Sequence, residues 1–379
     1  MTTKMSTVAI DASNLHKGGG VQVAASFINE LAELSKDSNF CASFPWVRDV
    51  HISAATEVVD NLSPTAKATF ACSERNRRPL STDIFRPLTP AKPDLRFVIF
   101  GPTYALDRAK KQILGFADVT SVYPPLPNQH TRGLKSKFRP ALSRLFTSRA
   151  DEIIVETNAM KDRLRQALGT KCPPVQVVSN TSSRTFSKAR RPQEVITSSH
   201  PKGTFTFIYV ARAYPHKNHE FIGELLGRLN DHGTPTECLV TLDESEWNAL
   251  SKKTRSHCRN LGILKVEELP DAYASADALL FPSLLEAFSA TPLEAAAMRI
   301  PIFASDRDFV RSTMGNAAIY FDPENAESAS AIIRTAISDK KTLHAKVELA
   351  FETLSALPNA KDRAVRYVQI IDSQLKLAR

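Results

Sequence analysis

The chain has 379 residues, 42% of them apolar and 23% charged, which suits two globular domains that each bury a core. No apolar run of ~18 residues occurs, so no membrane-spanning helix is expected. The first residues, MTTKMSTVAIDAS, lack the apolar centre and cleavage site of a signal peptide. A net charge of +9 favours an anionic partner: a phosphorylated molecule, an anionic membrane face or nucleic acid. Five scattered cysteines without CxxC spacing argue against a disulfide framework or zinc site, and for a reduced, cytoplasmic protein.

In chain order, the apolar run 7–12 reads as a buried parallel strand, followed by a Gly18-Gly19-Gly20 turn and a helix over 21–34. Together they form the first βα unit of a Rossmann-like half. Further strands are expected at 51–55, 96–101, 112–119, 152–156 and 175–178, with a helix at 158–168. Residues 62–95 are rich in Pro, Ser and Arg and read as loops. Residues 184–203 lack apolar periodicity. The domains are therefore placed at 1–185 and 204–358, joined by a linker at 186–203. The second half alternates again. Its strands are expected at 204–211, 238–242, 262–265, 278–282, 301–305 and 318–321. Helices are expected from about 218, and at 244–258, 268–275 and 326–338, with one ending near 298. This pattern predicts a second doubly wound parallel sheet. The last ~40 residues read as helical, and the segment 360–379 is expected to pack back on the first domain.

The densest motif is Phe281-Pro282-Ser283-Leu284-Leu285-Glu286-Ala287-Phe288-Ser289-Ala290-Thr291-Pro292-Leu293-Glu294. A strand runs into a loop, and Pro292 marks the first turn of the next helix. Open α/β sheets bind ligands at the carboxyl ends of their strands, and amides at a helix start can hold phosphate oxygens. Glu286 lies before the helix and Glu294 one turn inside it, so both can accept hydrogen bonds from sugar hydroxyls. A second strand end, YVARAYPHKN, carries Arg212 and Lys217. A guanidinium that binds two phosphate oxygens and an ammonium point charge suit a diphosphate. His216 and His219 read as turn and helix-surface residues. The third motif, NLHKGGGV at 14–21, allows close backbone approach.

The Glu-x7-Glu motif followed by AAAMRIPIFASD resembles the donor-site signature of glycosyltransferase family four. That resemblance implies an α/β GT-B fold, two Rossmann-like doubly wound domains facing a central cleft. It implies retention of anomeric configuration with no cofactor and no metal. Glu286 would bind the transferred sugar and Glu294 the donor ribose. Arg212 and Lys217 would clamp the diphosphate; with Glu286 they form the expected catalytic set. Phe288, Ser289, Ala290, Gly19 and Gly20 would complete the donor site. Two departures stand out: Ala287 and Arg299 occupy positions where the family usually has Gly. Ala287 is tolerable only at negative φ. The family's usual N-domain His has no counterpart in ILGFADV, and no motif places His16 or His130.

Residues 133–149 carry Lys135, Lys137, Arg139, Arg144 and Arg149, with Phe138, Leu142, Leu145 and Phe146 at helical spacing. Two readings stand: a basic amphipathic helix on an anionic membrane, or an ordinary helix whose apolar face enters the core. Pro140 is a candidate for its first turn. Arg75, Arg77 and Arg78 extend the same basic character.

The expected function is thus transfer of a hexose from a nucleotide-sugar donor to a saccharide or lipid-linked saccharide acceptor, in bacterial O-antigen or capsule assembly. The expected location is cytoplasmic, peripheral on the inner face of the plasma membrane. A nucleotide-sugar epimerase and a non-catalytic sugar-nucleotide or glycan-binding module remain as alternatives. No stripe of basic residues interleaved with aromatics supports nucleic-acid binding.

Overall fold

The computed structural model describes residues 6–77, 92–101, 109–124, 134–182, 185–186 and 203–378. The chain divides into two compact units, Met1–Asn180 with Pro358–Arg379, and Thr181–Leu357.

The first unit holds β1 (Val8–Ala12), β2 (Val50–Ala54), β3 (Cys72–Glu74), β4 (Leu95–Gly101), β5 (Lys111–Phe116), β6 (Glu152–Val155) and β7 (Val175–Val177). They form one parallel sheet, ordered β3-β2-β1-β4-β5-β6-β7. A parallel sheet needs helices on both faces, and β1 is accordingly buried along its whole length. The helix Ala360–Leu377 packs on the helix Gly19–Leu34 through Tyr367, whose ring meets Phe27 at 5.1 Å and Phe97 at 5.3 Å. Gln374 Nε2 donates to Glu152 Oε2 at 2.8 Å, which ties the end of that helix to β6. Each such buried aromatic is worth about 1.5–3 kcal/mol. That burial places the end of the chain in the first unit.

The glycine turn is shorter than its sequence suggests. The helix begins at Gly19, and Gly18 alone of the three has positive φ, +70°. Part of the stretch 62–95 is ordered too: Ser63 caps a helix over Pro64–Thr69 and β3 follows, while 78–91, including Arg78, lie outside the described residues. Most of the expected linker also lies outside them. Phe186 is described, and it is buried edge-on to Tyr273 in the second unit's core.

The second unit holds β8 (Phe205–Tyr209), β9 (Thr236–Val240), β10 (Cys258–Asn260), β11 (Ala278–Phe281), β12 (Ile302–Ser305) and β13 (Ile319–Phe321). Their order is β10-β9-β8-β11-β12-β13, again parallel. Two expectations fail here. The helix predicted over 244–258 is two short helices, Glu244–Ala249 and Lys252–His257. Leu250 is extended and buried, and Ser251 caps the second helix, so the chain turns between them. The strand predicted at 262–265 is absent; the edge strand is β10, in register with Cys238–Val240. Asn260 then accepts from the amides of Leu242 and Gly262, and Gly262 at φ +77° turns the chain off the edge.

In both sheets the order reverses between two neighbours, β1 and β4 in the first, β8 and β11 in the second. Loops leaving such a pair diverge and open a crevice at the carboxyl ends. In the second unit those loops are 210–218 and 282–290, which carry most of the sequence-predicted site.

Candidate functional site

The two loops are joined directly. Leu284 N donates to the His216 carbonyl at 2.8 Å, and Asn218 Nδ2 donates to the carbonyls of Pro282 at 3.3 Å and Pro323 at 2.9 Å. Asn218 has φ +60°, a left-handed conformation that Asn tolerates better than most residues. It lets the chain turn sharply from the Pro215–Lys217 turn into the helix His219–Asp231.

This staple brings Lys217 and Glu286 into an ion pair. Their side chains are only 16% and 11% exposed, so water screens the pair weakly. Beneath the pair lies a hydroxyl relay. Ser283 Oγ donates to Glu286 Oε1 at 2.9 Å, and Tyr209 OH lies 2.7 Å from Ser283 Oγ and 3.1 Å from the Lys217 carbonyl. Each hydroxyl has one proton. With Ser283 donating to the carboxylate, Tyr209 donates to Ser283, and the longer contact to Lys217 takes the remaining share. Burial and the neighbouring Glu286 charge push the Tyr209 phenol well above its ordinary value, so it stays a donor.

Glu294 sits one turn inside the helix Thr291–Ala297, and its carboxyl accepts from Tyr273 OH at 2.9 Å. Loss of water raises the carboxyl to about 7, with the Tyr273 bond pulling the other way. Phe288 packs against the core of the unit, and Ser289 and Ala290 lead into the helix, which no side chain caps.

Arg212 is placed differently from the expectation. Its guanidinium binds two acids, Nε to Glu246 Oε1 at 2.8 Å and one terminal nitrogen to Asp243 Oδ2 at 2.6 Å. Sequence reasoning overlooked both acids, as it did Tyr209, Ser283, Tyr273 and Asn218. The Asp and Glu form the capping box of the helix Glu244–Ala249, and that local signal, D-x-x-E, was available. The hydroxyl partners Tyr209 and Ser283 gave no such signal, since their meeting depends on which strands lie side by side.

His219 is buried, not on the helix surface. It packs against the Tyr209 ring at 5.0 Å, and burial followed by the Lys217 charge lowers its imidazole to about 4, so it is neutral. Gly19 and Gly20 open the long helix of the first unit. A Cβ on Gly20 would meet Leu15 at 3.3 Å and Phe100 at 3.6 Å, so its small size serves packing within its own unit; the space at Gly19 is open. His16 is held by the Arg77 carbonyl at 2.7 Å and Glu57 at 3.3 Å. His130 lies outside the described residues.

The two departures at glycine positions resolve in opposite ways. Among the described residues only Asn218 and Arg299 are non-glycine residues at positive φ, so Ala287 carries no left-handed strain. Arg299, at φ +52°, does. It occupies the turn that ends the helix Thr291–Ala297: Ile300 N reaches the Ala295 carbonyl and Arg299 N the Ala296 carbonyl. Two bonds to Glu348, at 2.7 and 2.9 Å, and a position 3.9 Å above the Phe351 ring offset that strain.

Residues 191–352 match the model of the family described as Glycosyl transferases group 1. The matched stretch lies within the second unit. Two curated relatives share part of the chain. It is 31% identical over 98 residues to O-antigen chain mannosyltransferase B of Escherichia coli, 26% of each chain. It is 22% identical over 206 residues to O-antigen chain mannosyltransferase RfbU of Salmonella typhimurium, 51% of this chain and 53% of that one. The chain thus spans about half or less of the length of these relatives. Among solved structures, HepE of Anabaena in complex with UDP and glucose matches with a TM-score of 0.65 and 14% identity, over 98% of this chain and all of that one. At that identity the likeness is one of fold: α/β, GT-B, with two Rossmann-like domains.

Proposed function

We propose that this chain is a retaining glycosyltransferase. It moves a hexose from a nucleotide-sugar donor to a saccharide or lipid-linked saccharide acceptor, in O-antigen or capsule assembly. The observation that carries the reading is the Lys217–Glu286 pair, locked between two strand-end loops at the switch point of a sheet in the matched stretch. A lysine has three donor protons, and Glu286 uses one side of the ammonium. The rest suit a phosphate oxygen of the donor, whose negative charge grows as the glycosidic bond breaks. Glu286 is fixed by Ser283 through Oε1, which leaves its second oxygen to orient the sugar. Glu294, one turn inside the helix Thr291–Ala297, serves the ribose. The acceptor hydroxyl attacks on the leaving-group side, and the departing phosphate takes its proton, so no protein base, cofactor or metal is required. The HepE complex with UDP and glucose and the two O-antigen mannosyltransferases support the donor and acceptor classes.

Calorimetric titration with UDP, GDP and ADP tests the donor site. One base is expected to bind selectively, and Lys217→Ala to weaken it by roughly tenfold or more. Equal binding by wild type and Lys217→Ala would remove the clamp.

An anionic bilayer is the second partner we propose. No helix among the described residues is long and apolar enough to cross a membrane. The helix Leu134–Thr147 instead contains Pro140 within it, so Pro140 is not its first turn. Two of its large apolar side chains face solvent: Phe138 is 68% and Leu145 48% exposed. The inner face is made by small polar residues, with Ser143 buried and donating to Asp118 at 2.8 Å. Arg139, Arg144 and Arg149 flank the exposed apolar residues, a charge pattern that fits lipid phosphates. Flotation with vesicles containing phosphatidylglycerol is expected to carry the wild-type protein and to lose Phe138→Ser/Leu145→Ser. Wild-type protein that stays at the bottom of the gradient at low salt would end this reading.

A further inference from the structure

We infer that Asp243 and Glu246 are competing counter-ions that set the affinity of the donor site by holding Arg212. The inference rests on the donor-site reading above and concerns how that site opens to a diphosphate. The cations of both candidate clamp residues are paired with acids, but not equally. Lys217 has one partner, Glu286, and the pair is neutral. Arg212 has two, Asp243 and Glu246, so the group of three carries one net negative charge. That charge repels the ligand Arg212 is expected to bind. Asp243, Glu246 and Lys217 lie within one unit, and the loop bearing Arg212 is anchored by the same acid: the Ala213 amide donates to Glu246 Oε1 at 3.1 Å.

The acids themselves stay in place when Arg212 moves. Asp243 Oδ1 is committed to the Glu246 amide at 2.8 Å and the Ser245 hydroxyl at 2.7 Å, while only Oδ2 faces the guanidinium. Glu246 Oε2 accepts from the Asp243 amide at 3.2 Å. The capping box therefore fixes both carboxylates, and the mobile partner is Arg212, whose side chain is 49% exposed. Binding of a diphosphate is then an exchange: Arg212 leaves two fixed carboxylates for two phosphate oxygens. The latch thus lowers the affinity of the site for a diphosphate.

The geometry supplies a clean variant. Asn is as good an N-cap as Asp. Asp243→Asn keeps the Oδ1 contacts and replaces only the oxygen that holds Arg212. Titration of UDP, GDP and ADP by calorimetry at low salt is the measurement. Asp243→Asn is expected to bind the preferred diphosphate roughly threefold to fivefold tighter than wild type, the scale of an exposed ion pair. Glu246→Gln should shift in the same direction. Glu327→Gln, which removes the same charge from an exposed partner of Arg228, should leave binding unchanged. The melting temperature of ligand-free Asp243→Asn should match wild type, which separates this effect from misfolding.

Weaker or unchanged binding in Asp243→Asn, while wild type binds and Lys217→Ala does not, would overturn the latch and make the acids supports that orient Arg212. Absence of diphosphate binding in wild type and Asp243→Asn alike would overturn the donor-site reading, and the latch with it.

Discussion

Replacing Lys217 with Met leaves Glu286 in a pocket where its carboxylate is 11% exposed and keeps only the hydroxyl of Ser283 as a charge-stabilising partner. Removing one member of a buried pair costs ~3–5 kcal/mol. The remaining bond and the small water access place this case at the lower end, about 3 kcal/mol. For a unit of this size that is a fall of about 6–12 °C in melting temperature. Glu286→Gln costs less, about 1–2 kcal/mol, because the lysine stem can carry its ammonium outward to water. The double variant Lys217→Met/Glu286→Gln buries no charge and should lie within about 1 kcal/mol of wild type. The coupling in this cycle is then about 2–3 kcal/mol, measured by urea unfolding at pH 7.5. Single costs that merely add in the double variant would refute the ion pair as the element that locks the two loops.

Two more outcomes follow from residues near it. Arg299→Gly should be more stable than Arg299→Ala by about 1 kcal/mol: both lose the contacts to Glu348 and Phe351, but Gly alone is relieved of the φ +52° strain; chemical denaturation of the two variants decides it, and equal stabilities would mean the strain is absent. Glu294, raised to about 7 from an ordinary 4.5, contributes stability that is complete below about pH 4.5 and lost as pH rises through 7. Ligand-free protein should therefore weaken from pH 5 to 7.5. Glu294→Gln should flatten that slope by an amount on the order of 3 kcal/mol, leaving the share of Glu156, which is raised to about 7 in the first unit by its own burial. An unchanged slope in stability measured against pH would show that Glu294 is solvated.

Local chemistry made much of this protein readable from its residues. Short β-rich apolar runs alternating with amphipathic helices specify parallel sheets without any tertiary information, and both sheets form. The loops after β8 and β11 were readable too, because strand, turn and Pro-initiated helix each leave a mark within a few residues. The edge strand at Cys258–Asn260 was misplaced because three residues carry almost no periodic signal, and the break at Leu250 because a buried leucine reads the same in a helix or a turn.

Tertiary structure alone decided which charges meet. Tyr209 reaches Ser283 only because β8 and β11 are neighbours in the sheet, 74 residues apart in sequence. Arg212 is captured by acids more than 30 residues on, at the start of a helix that follows the adjacent strand β9. The outward turn of Phe138 and Leu145 likewise depends on Asp118, which engages the opposite face of their helix. Periodicity names the faces of an element, but electrostatics and packing act through space. The partner of each face, and the counter-ion of each charge, therefore had to come from the fold.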